Sequence, residues 1–70
     1  MPALTPREHQ IVELLAGGAT GEQIAERLVL SPETVQKHVH NAKRKLGAAT
    51  RAHLIAVAIA RGVIDAEIAA

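Results

Sequence analysis

The chain has 70 residues, the size of one small domain, and contains no cysteine that could staple so limited a core. Its net charge of +1 conceals a division: −2 through Leu30, +4 from Ser31 to Arg51 and −1 beyond, which gathers the cations on one stretch as backbone-phosphate binders do. With no Phe, Tyr or Trp, the chain cannot stack unpaired bases as single-strand readers do, which leaves duplex DNA as the better nucleic-acid target.

The first helix is expected over residues 6–16. Thr5 caps it, Pro6 occupies the first helical position, where a missing N–H is no loss, and Glu8 can reach back to complete a capping box. Capping suffices to explain Glu8, the alternative being a salt bridge to the basic stretch. Leu4 can staple onto His9 or a neighbouring first-turn residue. Ile11, Val12, Leu14 and Leu15 make the buried face, and Gly17-Gly18 end the helix.

Thr20-Gly21-Glu22-Gln23 repeats the capping pattern and opens a short helix over 21–28, with Ile24, Ala25 and Leu28 turned inward. Val29-Leu30 form a tight connection to Ser31. Two short helices joined this way, the second basic on its outer face, make a helix-turn-helix. Ala25 sits where they cross, and a bulky side chain there would force them apart.

The third helix is expected over 32–46. Ser31 caps it, Pro32 starts it, and Gly47 takes the left-handed conformation that ends it. Val35, Val39, Ala42 and Leu46 recur at helical spacing as one apolar stripe. On the opposite side stand Glu33, Lys37, His40 and Arg44, flanked by Gln36 and Asn41. Such a helix, apolar inward and rich in long donors outward, suits the major groove of DNA. A merely solvated charged face is the competing reading. His38 borders the buried stripe and is expected to be a hydrogen-bonded structural histidine, whereas the protonation of His40 on the open face could couple binding to pH.

Thr50 caps a fourth helix over 51–61, ended by Gly62. Leu54, Val57, Ala58 and Ile64 form one apolar face, while Ala52, Ile55, Ala56, Ile59 and Val63 form a second that so short a chain cannot easily bury. That second face is expected to serve a two-fold dimer. The tail from Asp65 to Ala70 is weakly helical and expected to fray.

Several classes are unfavoured. The longest apolar run, Leu54–Ala60, is far too short to cross a bilayer. Met-Pro-Ala carries no signal-peptide pattern, so the expected location is cytoplasmic, away from membranes. His9, His38, His40 and His53 lack metal-ligand spacing, since His38 and His40 lie about 200° apart around a helix. No metal, cofactor or small-molecule ligand is expected. Ser31 is the only serine and is used as a cap, no nucleophile stands with a base, and no phosphate-cradling glycine loop occurs, which argues against an enzyme.

Four motifs in one order carry a resemblance: L-T-P-R-E at Leu4–Glu8, I-A-E-R-L at Ile24–Leu28, S-P-E-T-V-Q-K-H-V at Ser31–Val39 and R-K-L-G-A at Arg44–Ala48. Together they resemble the LuxR-type helix-turn-helix domain of bacterial transcription regulators, from Leu4 to about Ile64. Region 4 of sigma factors opens similarly, but the helix after Thr50 argues against it. The resemblance implies an all-α domain of four helices spanning 1–70, with its core over about 4–64 and the third helix as the recognition helix. It also implies that Gln36, Lys37 and His40 read base edges with Asn41 and Arg44 nearby, and that Thr34 and Lys45 grip phosphates. Lys43 and Arg51 are further phosphate candidates by charge. Ala52, Ile55, Ala56, Ile59 and Val63 would lie in a homodimer contact of the last helix, and RNA polymerase is a further partner. Many members have Lys where this chain has Gln36; Gln pairs with adenine and Lys with guanine, so a shifted base preference is expected. The competing function is a protein-interaction module that docks through Ile55, Ile59 and Val63 with the basic helix only solvated.

Overall fold

The computed structural model describes residues 3–69. Four α-helices follow in order, α1 (Pro6–Ala16), α2 (Gly21–Leu28), α3 (Pro32–Leu46) and α4 (Arg51–Ala60), with a 3-10 turn at Ala66–Ala69. The first three match the expected bounds, and α4 stops one residue short of the expected Arg61.

Each helix begins under a hydroxyl. Thr5, Thr20, Ser31 and Thr50 accept the backbone N–H groups of Glu8, Gln23, Thr34 and His53 at 3.0–3.2 Å. Glu8 and Gln23 return the bond to the cap N–H of Thr5 and Thr20 at 2.9 Å, completing both capping boxes. The helices also end alike. After each, one residue turns left-handed while the next N–H reaches back five residues: Ala19 to Leu14, Leu30 to Ala25, Ala48 to Lys43 and Val63 to Ala58, at 2.8–3.0 Å. This closure recovers carbonyls that the helix end leaves unpaired. Gly18, Gly47 and Gly62 make the turn at three of the four ends, and Val29 makes it at the end of α2 with φ +54°.

The core is aliphatic throughout. Ile11, Val12 and Leu15 of α1 meet Ile24 and Ala25 of α2, the stripe Val35, Val39, Ala42 and Leu46 of α3, and Leu54 and Ala58 of α4. Helix α3 lies against each of the other three helices. Its stripe is the expected one, and it fixes which side of α3 remains outside. Ile64 is buried as expected, but not as part of a helical face. The chain turns at Gly62 and folds Ile64 back into the core.

The expectation of a fraying tail is not met through the described residues. The 3-10 turn packs on α1, with Asp65 Oδ1 accepting the N–H of Glu67 at 3.0 Å. His9 fastens the segment before it: Nε2 lies 2.8 Å from the Val63 carbonyl oxygen and Nδ1 2.9 Å from Glu13 Oε1. His9 is therefore a polar pin between α1 and the end of the chain, where the sequence suggested a staple partner for Leu4. His38 is half-buried and makes no side-chain hydrogen bond among the described residues, against the expectation of a hydrogen-bonded structural histidine.

Glu8 is the one buried charged residue among those described. Its Oε1 accepts both the Thr5 N–H at 2.9 Å and the Lys45 ammonium at 2.6 Å. Cap and salt bridge, set against each other from the sequence, are thus made by the same oxygen. Burial pushes the carboxyl upward, but the Lys45 hydrogen bond and charge, together with the Thr5 N–H and hydroxyl, outweigh it and hold Glu8 below the usual carboxylate range. The pair ties the start of α1 to the last turn of α3.

Two outcomes follow from these contacts. A β-branched residue in the left-handed region is strained by about 1–2 kcal/mol, and Val29, 90% exposed, contributes little packing in return. Val29→Gly should raise the unfolding free energy measured in urea melts by about 1 kcal/mol, while Val29→Ala should leave it nearly unchanged. Because the folded carboxyl of Glu8 titrates below its unfolded value, its stabilisation is complete above the ordinary glutamate range and is lost as the pH falls through the lowered folded value. Wild type should exceed Glu8→Gln by about 1 kcal/mol at neutral pH, and the gap should close on acidification in urea melts taken between neutrality and strong acid.

Candidate nucleic-acid interface

With its stripe buried, α3 offers its remaining circumference to solvent. Gln36, Lys37, His40 and Arg44 are exposed, and Thr34, Asn41 and Lys43 are half-buried beside them. The four turns of α3 therefore display two amides, two ammonium groups, an imidazole and a guanidinium away from the core. Glu33 in the first turn is the acid on this face. Among the described residues, none of the side chains of Gln36, Lys37, His40, Asn41, Lys43 and Arg44 is held by an intramolecular hydrogen bond or ion pair. Their donors are free for a ligand, as a groove-reading surface requires. The three cations of the last turn, Lys43, Arg44 and Lys45, also complement the negative end of the helix dipole.

The other sequence-selected residues are placed less uniformly. The Thr34 hydroxyl lies 2.8 Å from that of Ser31, within the cap of α3. Lys45 is drawn away from the open side: its ammonium bonds Glu8 at 2.6 Å and reaches the Ala3 carbonyl at 3.4 Å, leaving the side chain 20% exposed. An ammonium has three donors, so this pairing leaves Lys45 as a restrained cation where the sequence suggested a free one. Arg51 begins α4 and is exposed. It lines an open cleft with Thr20, Gly21 and Glu22 of the α2 start and Pro32, Val35 and Gln36 of α3.

On α4, Ala52 and Ala56 are exposed, and Ile55 and Ile59 are half-buried against the core. Val63 lies beyond the end of the helix, half-buried, with its carbonyl bound to His9. It therefore does not continue the helical row into which the sequence pattern placed it.

Sequence reasoning reached one part of the site incompletely and missed another. It offered Glu8 as a salt-bridge partner of the basic stretch, but no local pattern names Lys45, 37 residues away, as the partner. The seating of Arg51 beside the first turn of α2 is likewise a product of packing between helices that are not neighbours in sequence. No group of three or more His, Cys, Asp or Glu among the described residues could hold a metal ion. No helix among them is long and apolar enough to cross a membrane.

Comparison with known proteins agrees with this geometry. The model of the family described as bacterial regulatory proteins, luxR family, matches residues 2–58. The chain is 41% identical over 62 residues to the transcriptional regulatory protein MctR of Rhizobium johnstonii, covering 89% of this chain and 29% of that protein. It is 36% identical over 64 residues to the spore germination protein GerE of Bacillus subtilis, covering 91% of this chain and 86% of that one. Other relatives are far longer, and the chain spans as little as 7% of their length. Among solved structures, a Vibrio cholerae VqmA dimer studied in the absence of its target DNA superposes with a TM-score of 0.86 at 29% identity, covering 99% of this chain and 33% of that one. The helix-turn-helix of α2 and α3, its free outer donors and the family match over most of the sequence lead to one conclusion: the chain belongs to the LuxR family of bacterial transcription regulators, a non-enzymatic family, as a four-helix DNA-binding domain.

Proposed function

We propose that this chain binds duplex DNA sequence-specifically as one unit, with its core over about 4–64, and that α3 lies in the major groove. The observation that carries the reading is the pairing of opposites on α3, where a fully engaged aliphatic stripe backs a row of unengaged donors. Gln36, Lys37 and His40 read base edges, with Asn41 and Arg44 alongside. Gln36 favours adenine and Lys37 guanine, by the donor and acceptor patterns that these bases show in the groove. Thr34, Lys43 and Arg51 contact phosphates, and Lys45 adds charge through the donors that Glu8 leaves over. Such a ligand implies work in the bacterial cytoplasm, and promoter binding of this kind brings RNA polymerase within reach as a second partner.

The same reading includes a two-fold dimer on DNA, formed by the outer face of α4 through Ala52, Ile55, Ala56 and Ile59 with Val63 at its edge. Exposed alanines allow close approach of two helices, and the related VqmA structure is a dimer. Each subunit would then read half of a symmetric site.

Duplexes selected from a random pool and tested by mobility shift separate the roles. Lys37→Ala should relax base preference by about 1–3 kcal/mol at one position of the selected site. Lys43→Ala should weaken all duplexes alike and lower the log–log salt slope by about one. Binding by both variants indistinguishable from wild type would remove α3 from the groove. For the dimer, Ala56→Glu on the exposed face should abolish the two-subunit complex on DNA in sedimentation while leaving the circular dichroism unchanged.

A further inference from the structure

Gly21 has no backbone reason to be glycine. It stands at the first position of α2, and its φ is not in the left-handed region where glycine is favoured. Glycine is also a poor helix former next to almost any other residue. What surrounds it is specific. A Cβ built at Gly21 would meet a single group, the Arg51 Nη2, at 3.4 Å, with no other heavy atom within 4 Å outside its own neighbourhood. The guanidinium of α4 thus lies against the bare backbone of α2, in the cleft that Gln36 of α3 also lines. Glu22 lines that cleft too, yet Arg51 forms no ion pair or side-chain hydrogen bond among the described residues. The guanidinium therefore lies between α2 and α3 with no ion-pair partner among the described residues.

We propose that Gly21 is a positioning residue for DNA binding: the missing side chain lets Arg51 reach across α2, so that α4 supplies a phosphate contact on the same side as Gln36. The proposal rests on the reading of Arg51 as a phosphate contact and explains how a residue of the last helix comes to share the surface of α3. It also makes the first helix of the helix-turn-helix a gauge for the Arg51 side chain. An alanine methyl fits at ordinary contact distance, whereas a longer side chain occupies the guanidinium's seat and turns it away.

The test needs no knowledge of the operator, because a phosphate contact is independent of sequence. Anisotropy of a labelled mixed-sequence duplex, titrated with the 70-residue chain at several salt concentrations, gives affinity and salt slope. Arg51→Ala should lower the slope by about one. Gly21→Leu should reproduce that loss, the double variant should lose no more than either single one, and Gly21→Ala should bind like wild type. Gly21→Gln repeats the test with a second long side chain should the leucine variant melt early by circular dichroism. Wild-type slopes for both long variants, or losses that add in the double variant, overturn the role of Gly21. If Arg51→Ala leaves the slope unchanged while Lys43→Ala lowers it, DNA binding stands and this proposal falls; if neither lowers it, both fall.

Discussion

The rotation of α3 about its own axis is the constraint on which everything else depends. Val35, Val39, Ala42 and Leu46 are withdrawn from water by α1, α2 and α4, and each of the two valines and the leucine gains about 1.5–3 kcal/mol from burial. A helix rotated by one residue, about 100°, would expose part of that stripe and bury charges. The free energy that folds the domain is therefore the same free energy that aims Gln36, Lys37, His40 and Arg44 outward. The stability of the fold and the exposure of this row of donors are one arrangement seen from two sides. Glu8 adds a polar restraint, fastening Lys45 in the last turn of α3 to the capped start of α1.

A domain of this size has little to lose. Without disulfides or aromatic side chains, its margin rests on close aliphatic packing and on leaving no buried polar group unpaired. Among the described residues, no buried side-chain nitrogen or oxygen lacks a hydrogen-bond partner. Four hydroxyl caps open the helices and four left-handed turns close them. The exception in chemistry is Val29, which makes with a strained β-branched residue the turn that glycine makes at the other three ends. That strain lies inside the helix-turn-helix connection, where α2 and α3 are held at their working angle.

The cations are not equivalent, although the sequence presents them as one basic run. Lys37, Lys43 and Arg44 stand free, Lys45 is shared with a buried carboxylate, and Arg51 arrives from another helix against a glycine. Electrostatic attraction to a duplex counts them all, because screening acts over about 8–10 Å at physiological salt. Specific contact requires a free donor with a defined position, and it distinguishes among them. This division of a single positive region into free, restrained and seated charges is the main thing that packing adds to the functional picture.

The helices, their caps and the inward stripe of α3 were legible in the amino-acid sequence because each is decided within three to five residues: a hydroxyl and its third neighbour, a glycine and the carbonyl five back, apolar side chains one turn apart. The family was legible for the same reason, since its motifs are those local signals in a fixed order. Legibility ended where partners are distant in the chain. Glu8 meets Lys45 across 37 residues and His9 meets Val63 across 54, Ile64 enters the core by a turn that helical periodicity does not encode, and Arg51 finds Gly21 only once α2 and α4 are both packed on the body of the domain. Local rules determined the elements and which side of each is apolar. Only the tertiary structure decided which charges remain free, because that depends on which surfaces the packed aliphatic core brings face to face.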